Sequence, residues 1–143
     1  MQVKEIELSL DIIESHFKMD EDLLNIYHIE AGNGYKQCAL RTFEDLKNTT
    51  FPTFKFYGVY EDEKMVGFFG TEEYIYVNTI FVNPSYRKSE YMKAFYKCLT
   101  SIVGDNYITA LYKKNTRAIQ FYIKNNGKVI TDLEDYVVIQ IGE

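Results

Sequence analysis

The chain has 143 residues, a formal net charge of −5, 46% hydrophobic and 26% charged residues, and two prolines. Such a length most economically makes one domain, spanning residues 1–143, and buries roughly two thirds of the unfolded surface, enough for a core without disulfides or metal. The acidic balance argues against nucleic acid as a main partner, no apolar run is long enough to cross a bilayer, and Cys38 and Cys98 are isolated thiols without metal-ligand spacing. Lys4, Glu5 and Glu7 interrupt what would be an apolar signal segment, so a cytoplasmic location is expected, with no membrane partner and no metal.

In chain order, residues 3–10 alternate weakly and predict a first strand, followed by a helix over 11–17 with Asp11 as its N-cap. Residues 20–29 continue as helix or helix pair up to a glycine-rich break at 31–34, and apolar spacing predicts a further helix over 38–46. Period-two alternation over 54–60, a turn at 61–64 and a return over 65–71 predict a hairpin, and 74–82 a third strand, so an antiparallel meander is the simplest arrangement. A helix over 90–103 and a strand over 107–112 follow. Because a helix separates it from the previous strand, that strand should lie parallel to it. A short helix over 115–124 and strands over 128–131 and 136–141 complete the chain. His16 and His28 have no partner spacing and read as ordinary surface or core histidines.

The strand–loop–helix stretch from residue 74 to 96 carries the chemistry. A loop leading from a strand into a helix presents backbone N–H groups and the positive end of the helix dipole, which favours phosphates. Arg87 and Lys88 in that loop agree. Charge is also divided along the chain. Residues 87–128 hold nine basic and two acidic residues, a net +7, against seven basic and nineteen acidic elsewhere, a net −12. A solvated helix face would account for such a block, but its coincidence with the loop points to a polyanionic ligand on this half and a cationic substrate on the other.

Two motifs carry a family resemblance. Ile80-Phe-Val-Asn-Pro-Ser-Tyr-Arg87 is similar to the L-x-V-x-P-x-Y-R lead-in, and Asn115-x-x-Ala118-Ile119-x-Phe121-Tyr122 fits N-x-x-A-x-x-F/L-Y at each defined position. In this order and spacing the chain resembles the GNAT superfamily of acyl-CoA N-acyltransferases over roughly residues 54–127. The resemblance implies an α/β (α+β) GNAT-like fold, a mixed sheet of six to seven strands flanked by helices in the order β-α-α-β-β-β-α-β-α-β-β. It implies acetyl-CoA as co-substrate and a primary amine, on a small molecule or a protein, as acceptor, which attacks the thioester directly in a ternary complex.

By that resemblance, backbone groups of Ile80, Phe81 and Val82 would pair with the pantetheine arm, an N–H there polarising the thioester carbonyl. The amides of Arg87, Lys88, Ser89, Glu90, Tyr91 and Met92 would hold the pyrophosphate. Asn115 would hydrogen-bond the cofactor, Lys113, Lys114 or Arg117 would meet the adenosine phosphates, and Tyr122 would protonate the departing thiolate. Residues 118, 121 and 122 equally make a core stripe at helical spacing. The chain departs from the family where the loop reads Arg87-Lys-Ser-Glu90-Tyr-Met92 in place of Q/R-x-x-G-x-G/A, which adds bulk and a like charge and predicts weakened binding. Ser89 as N-cap would keep the first helical N–H groups turned to the ligand. No carboxylate stands on the third meander strand, which offers Tyr76 and Asn78 instead; Glu72 and Glu73, just before it, are the carboxylates placed to act through water, in positions that also suit solvated turn residues. A non-catalytic binding protein that keeps the scaffold with a degenerate cofactor loop is the competing reading, and pairing of the last strand would make a homodimer.

Overall fold

The computed structural model describes residues 1–19, 35–48, 55–72 and 76–142. The helices expected over 20–29, the break at 31–34, His28 and Glu73 lie outside them. In chain order the elements are β1 (Gln2–Ile6), α1 (Leu10–Met19), α2 (Tyr35–Asn48), β2 (Lys55–Glu61), β3 (Lys64–Glu72), β4 (Tyr76–Val82), a 3-10 turn (Pro84–Tyr86), α3 (Ser89–Val103), β5 (Tyr107–Tyr112), α4 (Thr116–Lys124), β6 (Lys128–Asp132) and β7 (Tyr136–Ile141).

The strands form one mixed seven-stranded sheet in the order β1-β2-β3-β4-β5-β7-β6. The meander β2–β3–β4 is antiparallel, and β5 lies parallel to β4. β7 sits between β5 and β6. The last strand is therefore not available for pairing across a dimer, contrary to expectation; β6 occupies that edge of the sheet. A chain returning from α4 reaches the edge first and turns inwards, so the order of the last two strands inverts.

Adjacent residues on a strand face opposite ways, and the middle of the sheet uses both faces. Phe69 packs beneath α3, with its ring 6.3 Å from that of Phe95, while neighbouring Phe68 meets Phe81 at 4.9 Å and His16 at 5.0 Å beneath α1. One apolar layer thus joins Val59, Val66, Phe69, Val77, Leu99, Tyr107 and Ile139 to α3 and α4. The other joins Phe56, Phe68 and Phe81 to Ile13, Phe17 and Ala39 of α1 and α2. His16 is a core histidine, 6% exposed, with Nδ1 2.9 Å from the Ile12 carbonyl oxygen.

Two caps differ from expectation. α1 starts at Leu10, and the hydroxyl of Ser9 accepts from the Ile12 N–H at 3.3 Å, so Ser9 is the N-cap and Asp11 lies within the first turn. That spacing, cap to third helical residue, is the reach of a serine side chain. α3 is capped by Lys88, in extended conformation and without a side-chain hydrogen bond, so Ser89 is the first helical residue rather than the cap.

Candidate functional site

β4 and β5 share two register pairs, Tyr76↔Ile108 and Val77↔Thr109. The Thr109 hydroxyl donates to the Val77 carbonyl at 2.8 Å and pins this closed end. Beyond it the strands separate. β4 stays on β3 as far as Val82↔Gly67, and β5 stays on β7 as far as Tyr112↔Tyr136. A wedge therefore opens between the C-terminal halves of two neighbouring strands.

A bulge produces the wedge. Thr71 pairs with Val77 but Gly70 with Thr79, so Asn78 is an extra residue in β4. An extra residue bends its strand and reverses the alternation beyond it. Val77, Ile80 and Val82 accordingly all belong to the α3 side, while Phe81 belongs to the α1 side. The backbone follows the same switch. The Asn83 N–H donates to the Val66 carbonyl at 2.7 Å, which turns Asn83, and by alternation Phe81, towards β3. The polar backbone groups of Ile80 and Val82 face the wedge, and those of Phe81 do not. Arg87 folds back so that its Nε donates to the Val82 carbonyl at 3.0 Å.

At the mouth of the wedge the chain turns sharply. Asn83 is buried, its side chain accepts from the Ser85 N–H at 3.0 Å, and Pro84 occupies the first position of the 3-10 turn. The first intrahelical bond of α3 runs from the Met92 N–H to the Lys88 carbonyl at 2.9 Å. The N–H groups of Ser89, Glu90 and Tyr91 come before it, and the side chain of the capping residue Lys88 makes no hydrogen bond to them. Four-residue hydrogen bonding leaves such groups without helical partners, and the dipole adds partial positive charge there. The bulk that replaces the family's glycines is turned elsewhere. Met92 packs on the α3 side of the core, the Tyr91 ring meets that of Tyr86 at 5.0 Å, and Lys88, Ser89 and Glu90 are exposed.

Asn115 is the N-cap of α4, its Oδ1 accepting from the Ala118 N–H at 3.3 Å. Lys113 pairs with Asp132 at 2.5 Å, and Lys113, Lys114 and Arg117 are all exposed beside the start of α4. Tyr122 is 3% exposed, and its hydroxyl is 2.9 Å from that of Tyr96. Burial, with the neighbouring hydroxyls of Tyr96 and Tyr107, holds its pKa well above that of a free phenol. Glu72 lies opposite Tyr76 across β3 and β4, next to the closed end of the wedge. Burial first, and then the Glu72 carboxylate, raises the pKa of Tyr76. Tyr96 is the residue that sequence reasoning missed. Its relation to Tyr122 joins two helices, and no motif spacing reports it.

The structure thus brings Ile80, Val82 and the start of α3 to one wedge, puts Asn115 into a helix cap, and turns Phe81 away. Several solved structures share this arrangement as a fold. An acetyltransferase from Thermus thermophilus is 10% identical and superposes with a TM-score of 0.69 over 99% of this chain and 97% of its own. The PaiA N-acetyltransferase from Thermoplasma acidophilum in complex with coenzyme A is 16% identical, with a TM-score of 0.62 over 100% of both chains. The Campylobacter jejuni N-acetyltransferase PseH in complex with acetyl coenzyme A is 17% identical, with a TM-score of 0.56 over 99% of each. No curated protein sequence matches the chain. The sequence model of the Acetyltransferase (GNAT) family matches residues 20–127, well over half of the length, and covers the bulged strand, the uncapped helix and Tyr122 together. This chain belongs to the GNAT acetyltransferase family and, with it, to the acyltransferases.

Proposed function

We propose that the protein transfers an acetyl group from acetyl-CoA to a primary amine by direct attack in a ternary complex. The observation that carries this reading is the wedge with an uncapped fifteen-residue helix at its mouth. A pantetheine arm is a chain of amides and needs a strand edge to pair with, and the wedge-facing backbone of Ile80 and Val82 supplies one. A pyrophosphate needs converging donors and positive potential, which the N–H groups of Ser89, Glu90 and Tyr91 supply, with Lys88 beside them. With its Oδ1 engaged in the cap, Asn115 would offer the Nδ2 donors to the cofactor, and Lys114 and Arg117 would meet the adenosine phosphates. The bound thioester contributes an activated acyl group and a thiolate leaving group.

The chain's own residues would then act in order. The bulge at Asn78 interrupts the β3–β4 ladder at the closed end, where a freed backbone N–H can polarise the thioester carbonyl. Tyr122, kept protonated by its burial, gives its proton to the departing sulfur. Glu72, beside Tyr76 at the same end, takes the amine's proton through water. Known GNAT neighbours hold coenzyme A or acetyl coenzyme A, in keeping with this cofactor.

Thermal melting tests the reading. Acetyl-CoA at about a hundred times its Kd stabilises a protein that binds it by about 2.7 kcal/mol, a rise of several degrees in the midpoint. An unchanged midpoint at millimolar acetyl-CoA would exclude the site. A rise without turnover on any amine would favour the second reading, a scaffold that binds without catalysing, for which the engagement of the Tyr122 hydroxyl by Tyr96 speaks. The like charge at the cradle provides a further check. Glu90→Gln is expected to tighten acetyl-CoA about two- to fivefold by isothermal titration, because an exposed carboxylate near a diphosphate repels it through solvent. Weaker binding in this variant would show that the start of α3 does not face the phosphates.

A further inference from the structure

The Tyr122 hydroxyl belongs to a cluster built from three elements. Tyr96 of α3 lies at 2.9 Å, and Tyr107, at the start of β5, is a second hydrogen-bonding neighbour. Tyr107 and Tyr122 are 4% and 3% exposed, within the apolar layer that also contains Val77 and Leu99. The Tyr96 ring is held firmly. It stacks on Phe121 with centroids 5.1 Å apart at 29°, and meets Phe95 edge-on at 5.6 Å and Tyr122 edge-on at 6.0 Å. Packed so closely, it keeps its hydroxyl trained on one partner.

Packing alone does not call for these oxygens. Burying a hydroxyl costs desolvation that its hydrogen bond only offsets, and rings without hydroxyls would fill the same volume. Three phenols meeting in an apolar layer need a reason, and the proton that Tyr122 must release supplies one. A phenolate left in a core without donors is expensive, and one that accepts O–H bonds costs less.

We propose that Tyr96 is a positioning residue for the acid step, holding the Tyr122 oxygen in place and, together with Tyr107, donating to it once its proton has gone. The inference rests on the acid role given to Tyr122 above. In that step the amine nitrogen bonds to the carbonyl carbon and the carbon–sulfur bond breaks. The sulfur takes the Tyr122 proton, and the surplus proton on the attacking nitrogen passes through water to Glu72; Glu72 then releases it to solvent, which returns one to Tyr122. Burial pushes the Tyr96 pKa up to about 12, so Tyr96 stays a phenol and remains a donor throughout.

A double-mutant cycle tests this, with kcat, the KM for acetyl-CoA and the melting midpoint measured for Tyr96→Phe, Tyr122→Phe and the pair. Tyr96→Phe should lower kcat about five- to fiftyfold and leave the KM for acetyl-CoA within about twofold. In the Tyr122→Phe background the same change should cost less than about twofold in kcat, because a residue acting through another loses its effect when that one is gone. Wild-type kcat in Tyr96→Phe, or losses that multiply in the pair, would overturn the inference while leaving the role of Tyr122 standing. Wild-type kcat in Tyr122→Phe would instead overturn the acid role, and this inference with it. Should the paired variant not fold, the solvent deuterium isotope effect on kcat decides from Tyr96→Phe alone: an increase over wild type supports the role, and an unchanged value refutes it.

Discussion

Tyr122→Phe is expected to lower turnover about ten- to a thousandfold while acetyl-CoA affinity stays within about twofold. The size follows from the leaving group. A thiolate is a poor leaving group until it is protonated, so an acid at hand lowers that barrier, and removing the acid returns the cost. Burial holds the phenol protonated at any working pH, so it arrives loaded. Phenylalanine keeps the ring and its edge-on contact with Tyr96, so binding of the cofactor should survive. The half-buried Tyr96 hydroxyl would lose its partner, at about 1 kcal/mol in stability, which a melt can separate from the kinetic loss. Steady-state rates over a panel of amines, with acetyl-CoA binding measured in parallel, decide the matter. Turnover equal to wild type would take Tyr122 out of the mechanism and return it to the core stripe that residues 118, 121 and 122 also make.

How far the sequence discloses this molecule depends on the range of the interaction involved. β5 and β7 occupy the predicted spans 107–112 and 136–141, and α3 and α4 begin within one residue of expectation, because local periodicity determines them. Caps were harder. A serine at the head of an apolar helix reads as a cap, yet Lys88 adopts the extended conformation and the helix starts at Ser89 itself. The match at Asn115 and Ala118 served two meanings at once, since these two residues are the cap and the third helical N–H that it receives.

The wedge depends on register, which no single segment contains. One trace of it is local, however. Val77, Ile80 and Val82 fall on one face although strict alternation would part Val77 from the other two, and that break in period marks the bulge at Asn78. The partnership of Tyr96 with Tyr122 left no comparable trace, since it depends on how α3 and α4 dock.

Gly67→Val is expected to destabilise the protein by about 3 kcal/mol or more, and to loosen acetyl-CoA beyond what the stability loss explains. Gly67 stands in β3 opposite Val82, where α3 crosses the sheet. A Cβ built there would run into the Phe81 carbonyl oxygen, and would lie 2.8 Å from Phe95 Cε2 and 3.2 Å from Val82 Cα. Two of these three are backbone atoms, which cannot turn aside as a side-chain tip can, so strand or helix must move. Either motion reaches the site. Displacing β4 shifts the wedge-facing groups of Ile80 and Val82, and lifting Phe95 carries α3, with its uncapped start, away from the mouth. Urea melts give the first quantity, and acetyl-CoA titration at a temperature where the variant is fully folded gives the second. A variant that melts with wild type would show that this close approach of strand and helix is not what sets the wedge. A destabilised variant with unaltered affinity would show that the wall of the wedge is held by the β4 bulge rather than by Gly67.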